Sequence, residues 1–213
     1  MGAAEEFLLQ SNREQAVSET DSFTPERYRQ MFDHIPAQAA KILDVGCNTG
    51  RGGAVLKSLN PSLRLTGLDC VPERIFALDR SVYDLGICGF STKIPVEKTS
   101  FDAILGGEFI EHVPPNQVDA TLAEFFRVLR LHGRLILTTP NPGFLKNKLR
   151  SLSVLLEKSH LTQHHPDCLR YRLRATGYSR VKIFGNGRMI RHVGRRFPCL
   201  RLYGSYLIQA DKW

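Results

Sequence analysis

Short apolar runs alternate with longer amphipathic stretches along most of this chain. Residues 41–45, 63–68, 85–88, 101–105 and 134–138 are rich in apolar residues, and each is bounded on at least one side by Gly or a charged residue. Runs of that length read as buried strands. The stretches between them carry helix signals. Thr24-Pro25-Glu26 caps a helix to about residue 34, before Pro36. Arg51–Leu59 is closed by Asn60-Pro61, and Pro72 opens a helix to about residue 80. Residues 116–131 place Val118, Leu122, Phe125, Phe126 and Leu129 on one face. Strands alternating with helices predict a parallel sheet with right-handed crossovers and helices on both faces.

The tail breaks this rhythm. Pro166–Thr176 reads as a helix stopped by Gly177. Residues 180–184 and 203–209 then read as strands with no helix-length segment between them, which predicts an antiparallel edge. Residues 1–22 are expected to be a polar, loosely ordered tail, and 23–213 a single domain with a basic amphipathic insertion near 142–165.

Composition narrows the class. Hydrophobic residues make up 42% of the 213 and charged residues 23%, which excludes disordered and collagen-like chains. No apolar run approaches the ~20 residues needed to cross a bilayer. The first twenty residues carry Glu5, Glu6, Glu14 and Glu19 and do not read as a secretory signal. Cys47, Cys70, Cys88, Cys168 and Cys199 are scattered, with no C-x-x-C pair, so a reduced, cytoplasmic compartment is expected. Charge is uneven: residues 1–126 hold 11 Lys+Arg against 18 Asp+Glu, and residues 127–213 hold 18 against 3. A basic second half suits an anionic partner such as a membrane surface, a phosphorylated substrate or nucleic acid, or is simply a solvated face.

The turn after the first strand reads I-L-D-V-G-C-N-T-G over residues 42–50. Glycine there permits a tight turn into a helix and close approach of a ligand. Asp69 ends the second strand, where an acid can accept from a ribose diol. The loop is neither G-x-G-x-x-G nor a P-loop, which weighs against dinucleotide dehydrogenases and nucleoside triphosphatases.

D-V-G-C-N-T-G resembles motif I of the class I S-adenosylmethionine (SAM)-dependent methyltransferases. The resemblance continues at Thr66-Gly67-Leu68-Asp69, Ser100-Phe101-Asp102-Ala103-Ile104, Glu108-Phe109-Ile110-Glu111-His112-Val113 and Arg127-Val128-Leu129-Arg130. It continues at Gly133-Arg134-Leu135-Ile136-Leu137-Thr138-Thr139-Pro140-Asn141 and covers roughly residues 28–181. The Glu-x-x-Glu-His and Thr-Thr-Pro-Asn elements are most similar to the branch that includes the ubiquinone-biosynthesis O-methyltransferases. The resemblance implies a Rossmann-like, doubly wound, seven-stranded and mostly parallel α/β sheet with an antiparallel last strand. It places Asp44, Gly46, Cys47, Asn48, Gly50, Asp69, Cys70, Gly89, Phe90 and Gly107 around SAM, with Asp69 on the ribose. Asn48 stands where a second glycine is usual, and Asn tolerates left-handed backbone. Phe90 stands where an acid usually holds the adenine amino group, and Leu131-His132-Gly133 replaces a Pro-Gly-Gly turn.

A hydroxyl acceptor must lose its proton, to a general base or with help from a metal. Glu108, Glu111 and His112 follow the fourth strand and, if helical, share one face. Three readings stay open. His112 is a base oriented by Glu111 or Glu108, the trio binds a divalent ion with a later histidine, or His112 caps and packs the loop. Methyltransferases acting on the 3′-terminal ribose of small RNAs use Glu-x-x-Glu-His with a further histidine. Here His160, His164 and His165 are the candidates, with His164 taken as the fourth ligand beside Glu108, Glu111 and His112.

Residues 144–158 place Leu145, Leu149, Leu152 and Leu156 at helical spacing among Lys146, Lys148, Arg150 and Lys158. Such a helix can be a lid, a contact with an anionic membrane, a gate for a lipid substrate, or an ordinary helix packed on the core. The resulting expectation is a SAM-dependent O-methyltransferase acting on a small, lipid-linked or glycan hydroxyl. Its rivals are a metal-assisted RNA ribose 2′-O-methyltransferase and a catalytically silent partner subunit, the latter motivated by Asn48 and Phe90.

Overall fold

The first strand shows why the sheet is buried on both faces. In β1 (Lys41–Val45), Ile42 points into one core cluster, while Leu43 and Val45 point into the other. The computed structural model of the chain describes residues 3–14, 22–186 and 199–213.

After β1 come α3 (Arg51–Leu59), β2 (Arg64–Asp69), α4 (Pro72–Phe76), β3 (Leu85–Cys88) and β4 (Phe101–Gly107). Then follow α5 (Val118–Val128), β5 (Leu129–Pro140), α6 (Leu145–Leu149), α7 (Pro166–Thr176), β6 (Ser179–Asn186) and β7 (Ser205–Asp211). Among the described residues, α1 (Ala3–Arg13) and α2 (Thr24–Phe32) precede β1. The described strands form one seven-stranded sheet in the order β3-β2-β1-β4-β5-β7-β6. The first five are parallel, and β7 runs antiparallel between β5 and β6. This is the architecture expected from the sequence.

One core layer packs Leu122 and Phe125 of α5 and Leu169 and Leu173 of α7 against the sheet. The other packs Tyr28 and Met31 of α2 and Leu56 of α3. Strand order reverses between β1 and β4, and a parallel sheet opens a ligand crevice at the carboxyl ends of the strands at such a point.

Several local expectations are corrected. Helix α1 stands within what was expected to be a loose polar tail. It is docked by Leu8, by an Arg13–Glu73 ion pair at 2.8 Å, and by the Arg74 guanidinium donating to the Asn12 carbonyl at 2.6 Å. Helix α4 ends at Phe76 rather than residue 80, because Asp79 folds the following turn by accepting from the Ser81 amide and hydroxyl. The helix expected over 144–158 is broken. Only α6 and a 3₁₀ turn at Val154–Leu156 form, separated by Ser151 at φ 51°, while the Ser153 hydroxyl caps the turn by accepting from the Leu155 amide. Its leucines do not pack on the core, since Leu145, Leu149, Leu152 and Leu156 are all exposed. Most of the stretch between β6 and β7, expected to hold no helix, lies outside the described residues.

Candidate active site

The loop from β1 into α3 is shaped by three residues with left-handed backbone: Gly46 (φ 66°), Asn48 (φ 50°) and Gly50 (φ 86°). A Cβ on Gly46 would sit 2.9 Å from the Phe109 ring, so both conformation and space require glycine there. Asn48 supports the turn in place of a glycine, as its tolerance of left-handed angles predicts. The loop is stitched to the end of β2. The Gly46 and Cys47 amides donate to the Leu68 carbonyl at 2.8 and 3.2 Å, and the Asn48 amide donates to Asp69 Oδ2 at 3.0 Å. Asp69 Oδ1 accepts from the Val71 amide at 2.9 Å, with the Arg74 guanidinium 3.6 Å away. Burial pushes the Asp69 carboxyl above its ordinary pKa, against the pull of these donors and of Arg74.

Asp44 is fully buried beneath this loop. The Tyr28 hydroxyl donates to its Oδ1 at 2.6 Å and the Tyr83 hydroxyl to its Oδ2 at 2.5 Å. Tyr83 also accepts from the Gly53 amide at 3.1 Å. The pair Gly52-Gly53 is what admits both rings. A Cβ on Gly52 would fall inside the Tyr28 ring, and one on Gly53 would fall on the Tyr83 hydroxyl. Burial raises Asp44 to about 6, opposed by the two tyrosine hydrogen bonds. Asp44 therefore joins α2, α3 and the loop before β3 behind the cavity rather than on its surface.

In front of the loop lies a cavity of about 400 Å³. That is within the ~300–1,000 Å³ of small-molecule clefts. Gly46, Cys47, Asn48, Asp69, Cys70, Gly89, Phe90 and Gly107 line it, together with Glu108 and His112. Asp44, Gly50 and Glu111 are not among its lining residues. A buried acid at the end of β2, bare backbone at Gly46 and the aromatic wall of Phe90 and Phe109 suit a ribose, a close-packed polar chain and a base. The donor set fits SAM.

Glu108, Glu111 and His112 do not share one helical face. Glu108 has φ 52° and precedes a single 3₁₀ turn at Ile110–His112. Its Oε1 lies 3.8 Å from Arg27 Nε. Glu111 is buried, and burial and the neighbouring Glu108 both push its carboxyl well above the usual carboxylate range. Burial lowers His112 to about 4, so the imidazole is neutral. Its Nδ1 is 2.9 Å from the Ser159 carbonyl, and the Glu108 carbonyl also supports the charged ring. A neutral imidazole has one proton for these two acceptors, so a nitrogen lone pair persists.

The metal set is corrected too. One ligand atom each from Glu111, His112 and His160 lie within 4.8 Å of one another. Neither Glu108 nor His164 belongs to this group. His164 is buried, with Nε2 2.9 Å from the Thr162 hydroxyl and 3.2 Å from the Ile110 carbonyl, and His165 is exposed at the start of α7. His160 Nδ1 meets the Val154 carbonyl at 2.6 Å. That backbone partner fixes the ring as outer-shell partners do in metal sites. The three residues fit a divalent cation.

Sequence reasoning missed the residues that come from before β1. Phe23, Arg27 and Tyr28 line the cavity, as do Leu8 and Asn12 of α1. Arg27 and Tyr28 sit one helical turn from Met31 on α2, but nothing in their spacing marks that face as a ligand wall.

The model of a methyltransferase domain family matches residues 43–137. Malonyl-[acyl-carrier protein] O-methyltransferase of Laribacter hongkongensis is 27% identical over 150 residues, covering 65% of this chain and 50% of that protein. The chain thus spans about half the length of the curated relatives it matches. Among solved structures, a SAM-dependent methyltransferase from Archaeoglobus fulgidus superposes with a TM-score of 0.69 at 18% identity, covering 88% of this chain and 92% of that one. Haemonchus contortus phosphoethanolamine N-methyltransferase 2, in complex with SAM, superposes with a TM-score of 0.65 at 13% identity, over 88% and 52%. At those identities the structures speak to the fold alone.

Proposed function

We propose that the chain, which carries a methyltransferase-domain match over residues 43–137, acts as a class I SAM-dependent methyltransferase, its cavity binding SAM and directing methyl transfer to an acceptor oxygen. The observation that carries this reading is Asp69: a buried carboxylate at the carboxyl end of β2, facing the cavity beside the β1 loop. Its two oxygens already accept from the Asn48 and Val71 amides. A carboxylate offers about four acceptor sites, so it retains capacity for a ribose diol. Gly46 and Gly107 admit the methionine portion close to the backbone, and Phe90 covers the adenine. When bound, SAM supplies a methyl group already activated by a positively charged sulfur. The protein's remaining tasks are alignment, exclusion of water and removal of the acceptor's proton. His112 takes that proton, and the Ser159 and Glu108 carbonyls stabilise the imidazolium that results.

The acceptor we propose is a small, lipid-linked or glycan hydroxyl. Transfer to oxygen is supported by the names of the relatives found, which are malonyl-[acyl-carrier protein] O-methyltransferases. A second reading rests on the Glu111, His112 and His160 cluster: a divalent ion held there would polarise the acceptor oxygen, a ribose hydroxyl included. The test is transfer of labelled methyl from SAM to quinol, glycolipid, acyl-carrier-protein and RNA acceptors, with and without a chelator. Labelling of one acceptor that persists with chelator and falls in His112→Ala supports the base reading. Labelling abolished by chelator supports the metal. No labelling of any acceptor, with SAM bound, overturns methyl transfer to these classes.

A further inference from the structure

We infer that the segment from Leu145 to Lys158 is a docking surface for an anionic lipid bilayer, set beside the mouth of the cavity. The chain here is short helix and turn, folded back on itself by the Leu152 amide donating to the Asn147 carbonyl at 2.9 Å. Leu149 is 78% exposed and Leu156 66%, and Leu152 and Leu155 are each nearly half exposed. None of them contributes to either core cluster. Exposed apolar side chains gathered in one segment mark an interaction site rather than ordinary surface.

Charge identifies the occupant. Lys146, Lys148, Arg150 and Lys158 are exposed and interspersed with the leucines along the segment, and Glu157 is the one acid between residues 142 and 165. Apolar insertion combined with attraction to anionic headgroups is how proteins lie on lipid surfaces. A folded protein partner needs a complementary groove or a flat seam, and a broken segment of protruding leucines offers neither. An acidic carrier protein would engage the cations and leave the leucines in water.

The surface is tied to the site. Glu157, Ser159 and His160 line the cavity, and His160 Nδ1 bonds the Val154 carbonyl within the leucine-bearing turn. A lipid-linked acceptor held in the bilayer would therefore meet the cavity where the chain touches the membrane, a step that rests on the methyl-transfer reading above.

The test is co-sedimentation of the full chain with vesicles of phosphatidylcholine alone or mixed with phosphatidylglycerol, at low and high salt. Binding is expected to the mixed vesicles, at least about tenfold tighter than to the neutral ones and weakened by salt. Leu149→Ser with Leu156→Ser should lower affinity by roughly tenfold or more per leucine. Both side chains are solvent-exposed, so the fold should survive. Lys146→Glu with Lys148→Glu is the second variant and should lower binding only to the anionic vesicles. Absence of binding to mixed vesicles overturns the inference. So does binding that ignores the leucine changes, or capture by an acidic acyl carrier protein without vesicle binding. SAM binding, followed on the same samples, keeps a failure here distinct from a failure of the methyl-transfer reading.

Discussion

Replacing Asp44 by Asn should change how stability depends on pH, by an amount the structure sets. Asp44 sits dry beneath the β1 loop with two tyrosine hydroxyls on its oxygens, and burial raises it from 3.8 to about 6. The native state therefore holds this proton more tightly than the unfolded chain does. A carboxyl raised in this way contributes stability that is fully present below about pH 3.8 and lost as pH rises through about 6. The difference between the two values corresponds to about 3 kcal/mol. Asparagine cannot ionise, yet it can accept from one tyrosine and donate to the other. Relative to wild type, Asp44→Asn should therefore gain about 3 kcal/mol between about pH 4 and about pH 7. His112 has the opposite sign: its pKa is lowered to about 4, so its contribution is lost as pH falls from about 6.5 to about 4. It is present in both proteins and cancels in the difference. Urea denaturation followed by circular dichroism across that range measures the effect. A difference that stays flat with pH, or an Asn variant that loses ground as pH rises, would refute the argument that burial dominates at Asp44.

Three further outcomes are expected. His112→Ala should lower turnover by ~10²–10⁴ while SAM affinity holds, and the acid limb of wild-type kcat should fall near pH 4 rather than near 6.5. If turnover per bound SAM is unchanged, His112 only supports the loop. Gly53→Ala should destabilise by about 1–3 kcal/mol, because its Cβ falls on the Tyr83 hydroxyl, and a neutral urea midpoint would contradict that packing. A chelator should leave turnover unchanged if His112 acts as the base. Chelator loss reversed by one divalent ion and reproduced by His160→Ala would select the metal instead.

The sheet was legible because its signals are local. Strands β1 to β4 are short runs that end in Gly or Asp or run directly into Gly, and the tail carries no helical signal of helical length before its last strand, so the antiparallel β7 followed. The Gly46–Gly50 turn and Asp69 were legible because backbone conformation and strand position dictate those residue types. What escaped depends on contacts distant in the chain. The distinction between His160 and His164 lies in which ring the 159–162 backbone turns toward His112, and both histidines read alike in sequence. Asp44 looks like a ligand residue until Tyr28 and Tyr83 arrive from either side of it. The leucines of 144–158 keep a helical period, but Ser151 and Ser153 divert the backbone and the stripe never forms a buried face.

Calorimetric titration of the full chain with SAM tests the central claim most directly. The account predicts saturable binding of one SAM per chain. It also predicts a loss of more than about tenfold in Asp69→Ala, the ~2–4 kcal/mol of two charge-assisted hydrogen bonds, with circular dichroism showing the variant folded. A wild-type protein that shows no saturable binding, or an Asp69→Ala variant that binds SAM as tightly as wild type, would contradict it.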